Sequence, residues 1–152
     1  MRLPWFFAFC GSALLTHAGW TWSGELITAE EALASQTAVP MLAVDETPVN
    51  AQGPVITVVD AEALAQPVKN PFSIEIFMQA QRDAELNFAS FKAFYGAFKI
   101  DITERLLKEA SKTVTGLKLA NLQIPSGRHK ILLRVSDSKG RTAEKEIAFK
   151  VE

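Results

Sequence analysis

The chain has 152 residues, an apolar fraction of 48% and a formal net charge of −1, enough apolar material for one ordinary domain with appendages. Charge is split along it: Gly19 to Gly53 holds five acids (Glu25, Glu30, Glu31, Asp45, Glu46) and no Lys or Arg, whereas Pro54 to Glu152 holds 15 Lys plus Arg against 12 Asp plus Glu. A balance of +3 on the second part gives no basis for nucleic acid as a partner, and the shift in charge sets a boundary near Gly53.

The chain opens with Met1-Arg2 and a nearly apolar run, LPWFFAFCGSALL, closing on Thr16-His17-Ala18. This pattern predicts an export signal over residues 1–18, cleaved after Ala18, because the run is shorter than the roughly 20 residues that a membrane-spanning helix needs. Cleavage leaves no transmembrane span and a periplasmic or extracellular protein. An uncleaved signal gives an inner-membrane tether, with Trp20 and Trp22 at the interface where tryptophan is favoured. The mature chain then has no cysteine and one histidine, His129. Disulfides, thiol nucleophiles and Cys/His zinc sites are thereby excluded.

Residues 19–53 predict an acidic, largely disordered linker. Within it Thr28-Ala29-Glu30-Glu31 has the form of a capping box, Thr28 as N-cap and Glu31 three positions on, which starts a short helix.

From Pro54 onward, short strands are predicted at the spacing of a two-layered β structure. Val55 to Val59 is β-branched. Phe72, Ile74, Ile76 and Met78 share one face of a second strand. Phe91, Ala93 and Tyr95 share one face of a third, which Gly96 ends, and Phe98, Ile100 and Ile102 share one face of a fourth. Thr103 is expected to cap a helical turn from Glu104 to Ala110. Leu117, Leu119 and Leu122 make a fifth strand. His129, Ile131, Leu133 and Val135, the turn Asp137-Ser138-Lys139-Gly140, and Ile147, Phe149 and Val151 form a closing hairpin with one buried and one wet face. The expectation is an all-β, antiparallel β-sandwich over residues 54–152, with about seven strands and one short helical turn.

Three stretches carry a family resemblance: the opening Gly-Pro-Val-Ile with Pro71-Phe72, Ile124 to His129, and Val135 to Arg141. Together they make this part of the chain resemble the bacterial immunoglobulin-like domains, the group that includes fibronectin type III and cadherin-like modules. The resemblance implies adhesion, spacing, chaperoning or substrate positioning, hence binding and not turnover. Where many such domains carry a corner tyrosine, this sequence has His129.

No catalytic, cofactor or metal site is predicted. His129 shares the parity of Ile131 and Leu133, which places it at the rim of the core, hydrogen-bonded to backbone. Asp101 with Glu104, and Asp83 with Glu85, are the closest acid pairs outside the linker; a hydrolase would need such carboxylates to face each other across ~5 to 10 Å. Asp137 alone falls far short of the six to eight oxygens of a calcium site and reads as a turn residue.

The opposite parity of the hairpin is more informative. Arg128, Lys130, Leu132 and Arg134, set beside Lys92 and Phe94 of the third strand, give a basic face with an apolar centre. Its expected partner is another envelope protein or an anionic glycan or lipid surface. Glu144 and Glu146 are placed to neutralise this face from the last strand, and the acidic linker could mask it. The resulting expectation is an exported, non-enzymatic binding or accessory module of the bacterial envelope. The alternatives are a structural spacer in an envelope assembly and, behind it, a small carboxylate-dependent hydrolase.

Overall fold

A computed structural model describes residues 26–37, 52–59 and 61–152. The expected signal, Trp20, Trp22, Glu25, Asp45 and Glu46 lie outside the described residues. Eight strands are present: β1 (Val55–Val59), β2 (Phe72–Gln79), β3 (Leu86–Tyr95), β4 (Ile100–Asp101), β5 (Ala110–Thr113), β6 (Gly116–Leu122), β7 (Gly127–Asp137) and β8 (Thr142–Val151). Three helices accompany them, α1 (Ala29–Thr37), α2 (Ala61–Leu64) and α3 (Thr103–Glu109). The strands form two antiparallel four-stranded sheets, β1-β2-β6-β5 and β4-β3-β7-β8, an arrangement compatible with an all-β sandwich.

Alternation decides which side of each sheet is dry. Ile56 and Val58, Ile74, Ile76 and Met78, and Leu117 and Leu119 are the buried parity of the first sheet. Phe91, Ala93 and Tyr95, with His129, Ile131, Leu133 and Val135 and then Ile147, Phe149 and Val151, are that of the second. All the apolar members belong to one continuous core.

Two strands depart from the predicted set. Phe98 has the alternation of a strand, but Gly96 and Lys99 both take positive φ (66° and 48°) and fold residues 96–99 into a turn that leaves Phe98 67% exposed. The fourth strand thus shrinks to Ile100–Asp101. Polar Ala-Ser-Lys-Thr after α3 has no alternation to betray it, yet it pairs with β6 from Ala110↔Leu119 to Thr113↔Gly116. The cap of α3 also moves. Asp101 Oδ1 accepts from the Thr103 N–H at 2.9 Å, while Thr103 Oγ1 accepts from the Ala93 N–H of β3 at 3.0 Å. Thr103 therefore ties helix to sheet instead of closing its own first turn.

The open edge of β8 is managed in two ways. Val68 N–H donates to the Lys150 carbonyl (2.8 Å) and Glu152 N–H to the Val68 carbonyl (3.0 Å), which closes its last residues. Lys145 has the parity of the core residues but is exposed, and a charge so placed discourages a further strand from adding there.

Residues 26–37, part of the predicted linker, pack on the folded body. The capping box forms: Glu31 N–H donates to Thr28 Oγ1 at 3.2 Å and Thr28 N–H to Glu31 Oε2 at 3.0 Å. A nine-residue helix is too short to persist on propensity alone, so its stability comes from docking. Leu26, Ile27 and Ala32 enter the core at 3%, 0% and 2% exposure. Glu31 then grips Arg105 of α3 with two hydrogen bonds, 2.9 and 2.7 Å. Gly96 and Gly127 seat the C-terminal turn of α1, since a Cβ on either would collide with Ser35 or Gln36. Truncating the fully buried Ile27 to Ala should cost about 2–5 kcal/mol of stability. Urea denaturation of the full chain checks this, and an unchanged midpoint would show that the segment contributes nothing to the fold.

Candidate functional site

The outward parity of β3 and β7 is brought together by their pairing, with Lys92 opposite Arg134 and Phe94 opposite Leu132. Through β8 the face continues, with Leu132 opposite Glu146, Lys130 opposite Ala148 and Arg128 opposite Lys150. The six residues expected to form one surface thus share one side of one sheet. Phe94 and Leu132 are half-buried at its centre, and the Arg134 guanidinium lies 5.7 Å from the Phe94 ring centroid, a cation–π distance.

The face is far less basic than its cations suggest. Lys92 pairs with Asp101 (3.1 Å), Lys130 with Glu146 (3.0 Å), and Arg134 with Glu144. Glu144 and Glu146 perform the neutralisation expected of them, and Asp101 adds to it from β4. Arg128 has no ion-pair partner among the described residues, and the same holds for Lys99 in the neighbouring turn.

These two cations flank a concavity of about 920 Å³ at the α1 end of the sheet. Leu132, Ala148 and Ala97 give it an apolar lining, and Leu64 of α2 and the following Ala65 border it. Ser35 and Gln36 of α1 also line it. Arg128, Lys130 and Leu132 of the expected face line it, whereas Lys92, Phe94 and Arg134 lie further along the sheet. Sequence pattern alone could not mark this hollow, because its walls come from five separate segments of the chain.

Beneath it lies a buried polar chain. The Tyr95 hydroxyl and His129 Nδ1 are 2.8 Å apart, and Nε2 is 2.8 Å from the Pro125 carbonyl oxygen. A carbonyl only accepts, so Nε2 carries the proton and Nδ1 accepts from Tyr95. Burial raises the Tyr95 phenol above its ordinary value, and the nearby Ser35 hydroxyl of α1 opposes this in part. His129 thus does what a corner residue does, tying its strand to a nearby loop. Burial holds the imidazole below its ordinary value, opposed in part by the bond to Pro125.

The acids behave structurally. Asp101 is held down at about 2 by the Thr103 hydroxyl and N–H and by Lys92, the opposite of what a general acid at neutral pH requires. It borders an open depression of about 300 Å³ that also contains Glu104, Lys92 and Arg105. Asp83 joins the closing hairpin, accepting from Lys139 at 2.6 Å and from Arg141 at 2.9 Å. Asp137 is buried at the hairpin turn, where burial alone would raise it. The Arg141 guanidinium and the N–H groups of Arg141 and Lys139 overcome that and lower it. It is the turn residue expected of it. Among the described residues no three His, Cys, Asp or Glu side chains gather as a metal site would require.

His129 sets the sign of one pH dependence. A group whose proton is disfavoured by folding stabilises the fold above its unfolded value near 6.5, and that stability drains away as pH falls below it. Between about pH 6.5 and 5.5 the lowered carboxylates Glu31, Asp83, Asp101 and Asp137, whose ordinary values are 4.5 for Glu31 and 3.8 for the aspartates, remain largely ionised in both states. Thermal unfolding should therefore show stability declining with acidification across that window, and His129→Gln should flatten the slope. A slope that survives the substitution would contradict the assignment of His129 as a buried neutral imidazole.

No protein-family model, curated protein or solved structure matches the chain.

Proposed function

We propose that this protein is an exported, non-enzymatic binding or accessory module of the bacterial envelope, an immunoglobulin-like domain that recognises its partner through the outer face of β3, β7 and β8. Strand order supports the immunoglobulin-like reading. Labelling the strands in sequence as A, B, C, C′, D, E, F and G, the sheets read A-B-E-D and C′-C-F-G, the constant-type arrangement with one added strand beside C.

The observation that carries the binding reading is the Arg128 end of the face. Lys92, Lys130 and Arg134 have carboxylate partners, so a stranger gains little by meeting them. Arg128 and Lys99 have none among the described residues, and they stand beside an apolar-lined hollow of about 920 Å³ on a rigid sheet. Charge to steer and a dry floor to bury are the two ingredients of a specific recognition surface. The hydrolase alternative draws no support from Asp101, whose ionised form is fixed by Thr103 and Lys92. A spacer role remains the second reading, supported by the end-closing α1 and by the guarded β8 edge, both of which keep the domain from joining strands with a neighbour.

A double charge reversal, Arg128→Glu with Lys130→Glu, should reduce partner capture from envelope extract at least tenfold. The melting temperature should fall by no more than a few degrees, because exposed ion pairs are worth at most about 1 kcal/mol. Thr57→Lys, on the outer face of the other sheet, should leave capture unchanged. Equal capture by wild type and double variant would reject recognition through this face.

A further inference from the structure

We infer that the hollow at the Arg128 end accepts an extended, acidic polypeptide segment carrying small aliphatic side chains, an inference that rests on the recognition face proposed above and names its ligand. Charge gives the first argument. Among the described residues four cations, Lys99, Arg128, Lys130 and Lys150, border the hollow against one carboxylate, Glu146. Lys130 is paired with Glu146 and Lys150 with Glu152, so among the described residues the open positions fall to Arg128 and Lys99. Those two flank the hollow from different elements, β7 and the turn after β3, and each can hold a separate carboxylate of one ligand.

Lining chemistry gives the second argument. Ala97, Ala148 and Leu132 offer short apolar side chains that match Val, Ala or Leu in size. The two aromatic rings that border the hollow, His129 and Phe149, are buried at 3% and 5% exposure. No flat ring is presented there for a sugar or a nucleobase to stack on. The segment lies across the sheet and does not extend it, because Lys145 and Val68 already guard the β8 edge.

The test uses the full chain and a fluorescein-labelled ten-residue peptide alternating Asp and Val, titrated by anisotropy in parallel with phosphatidylglycerol vesicles and with an anionic polysaccharide, alginate. Saturable peptide binding is expected, weakening as salt rises. It should weaken at least tenfold both in the Arg128→Glu, Lys99→Glu variant and in Ala148→Phe, which fills the floor without touching charge. A peptide alternating Lys and Val should not bind. Peptide binding indifferent to all three substitutions, or an absence of peptide binding, would overturn the inference. Vesicles or polysaccharide bound in place of the peptide and released by the same charge reversals would also overturn it, while leaving the recognition face standing.

Discussion

The antiparallel register between β3 and β7 is the constraint on which both halves of the account depend. It sets Ala93 against Leu133 on the dry side and Phe94 against Leu132 on the wet side. Side chains alternate strictly along a strand, so a slip of one residue would turn Arg134 and Lys92 inward and expose Leu133, Tyr95 and His129. Nearly all the apolar area of the second sheet opposes such a slip. The same pairing that makes the core therefore fixes the outer surface, and the proposed recognition face inherits the rigidity of a packed interior.

Sheet closure leaves one end of the layers to be covered, and α1 covers it. The contacts that hold it there are of different kinds. Leu26, Ile27 and Ala32 bury apolar surface; Glu31 and Arg105 meet as a fork; Ser35 and Gln36 pack against Gly96 and Gly127. Apolar burial supplies most of the free energy, while the polar contacts fix rotation and depth. Because Ser35 and Gln36 also line the hollow, the segment that packs on the fold contributes to the proposed site.

Much of the fold was legible in the sequence, and the reason is periodicity. The closing hairpin could be read residue by residue because seven apolar or half-polar positions alternate with charges around an Asp-Ser-Lys-Gly turn. The capping box at Thr28 was equally plain, and so was the capacity of Glu144 and Glu146 to neutralise the basic face. What escaped was set by distant partners. Ala-Ser-Lys-Thr becomes a strand only because β6 lies beside it. Leu26 and Ile27 look like two isolated apolar residues in an acidic stretch until the assembled core takes them in. Phe98 misled for the opposite reason, since its alternation is genuine but the positive φ of Gly96 and Lys99 turns the chain before a strand can use it. Of the site, the six face residues could be inferred from parity, whereas the hollow and the lack of an ion-pair partner for Arg128 among the described residues required the assembled end of the sheet.

On the proposed function, one side of one sheet meets the partner and the other sheet does not. Site-specific photo-crosslinking in intact cells distinguishes the two, with a photoreactive phenylalanine analogue replacing Phe94 on the outer face of β3 or Thr57 on the outer face of β1. A discrete adduct is expected from position 94 and none from position 57. An adduct from position 57 alone would contradict it, and so would equal labelling from both.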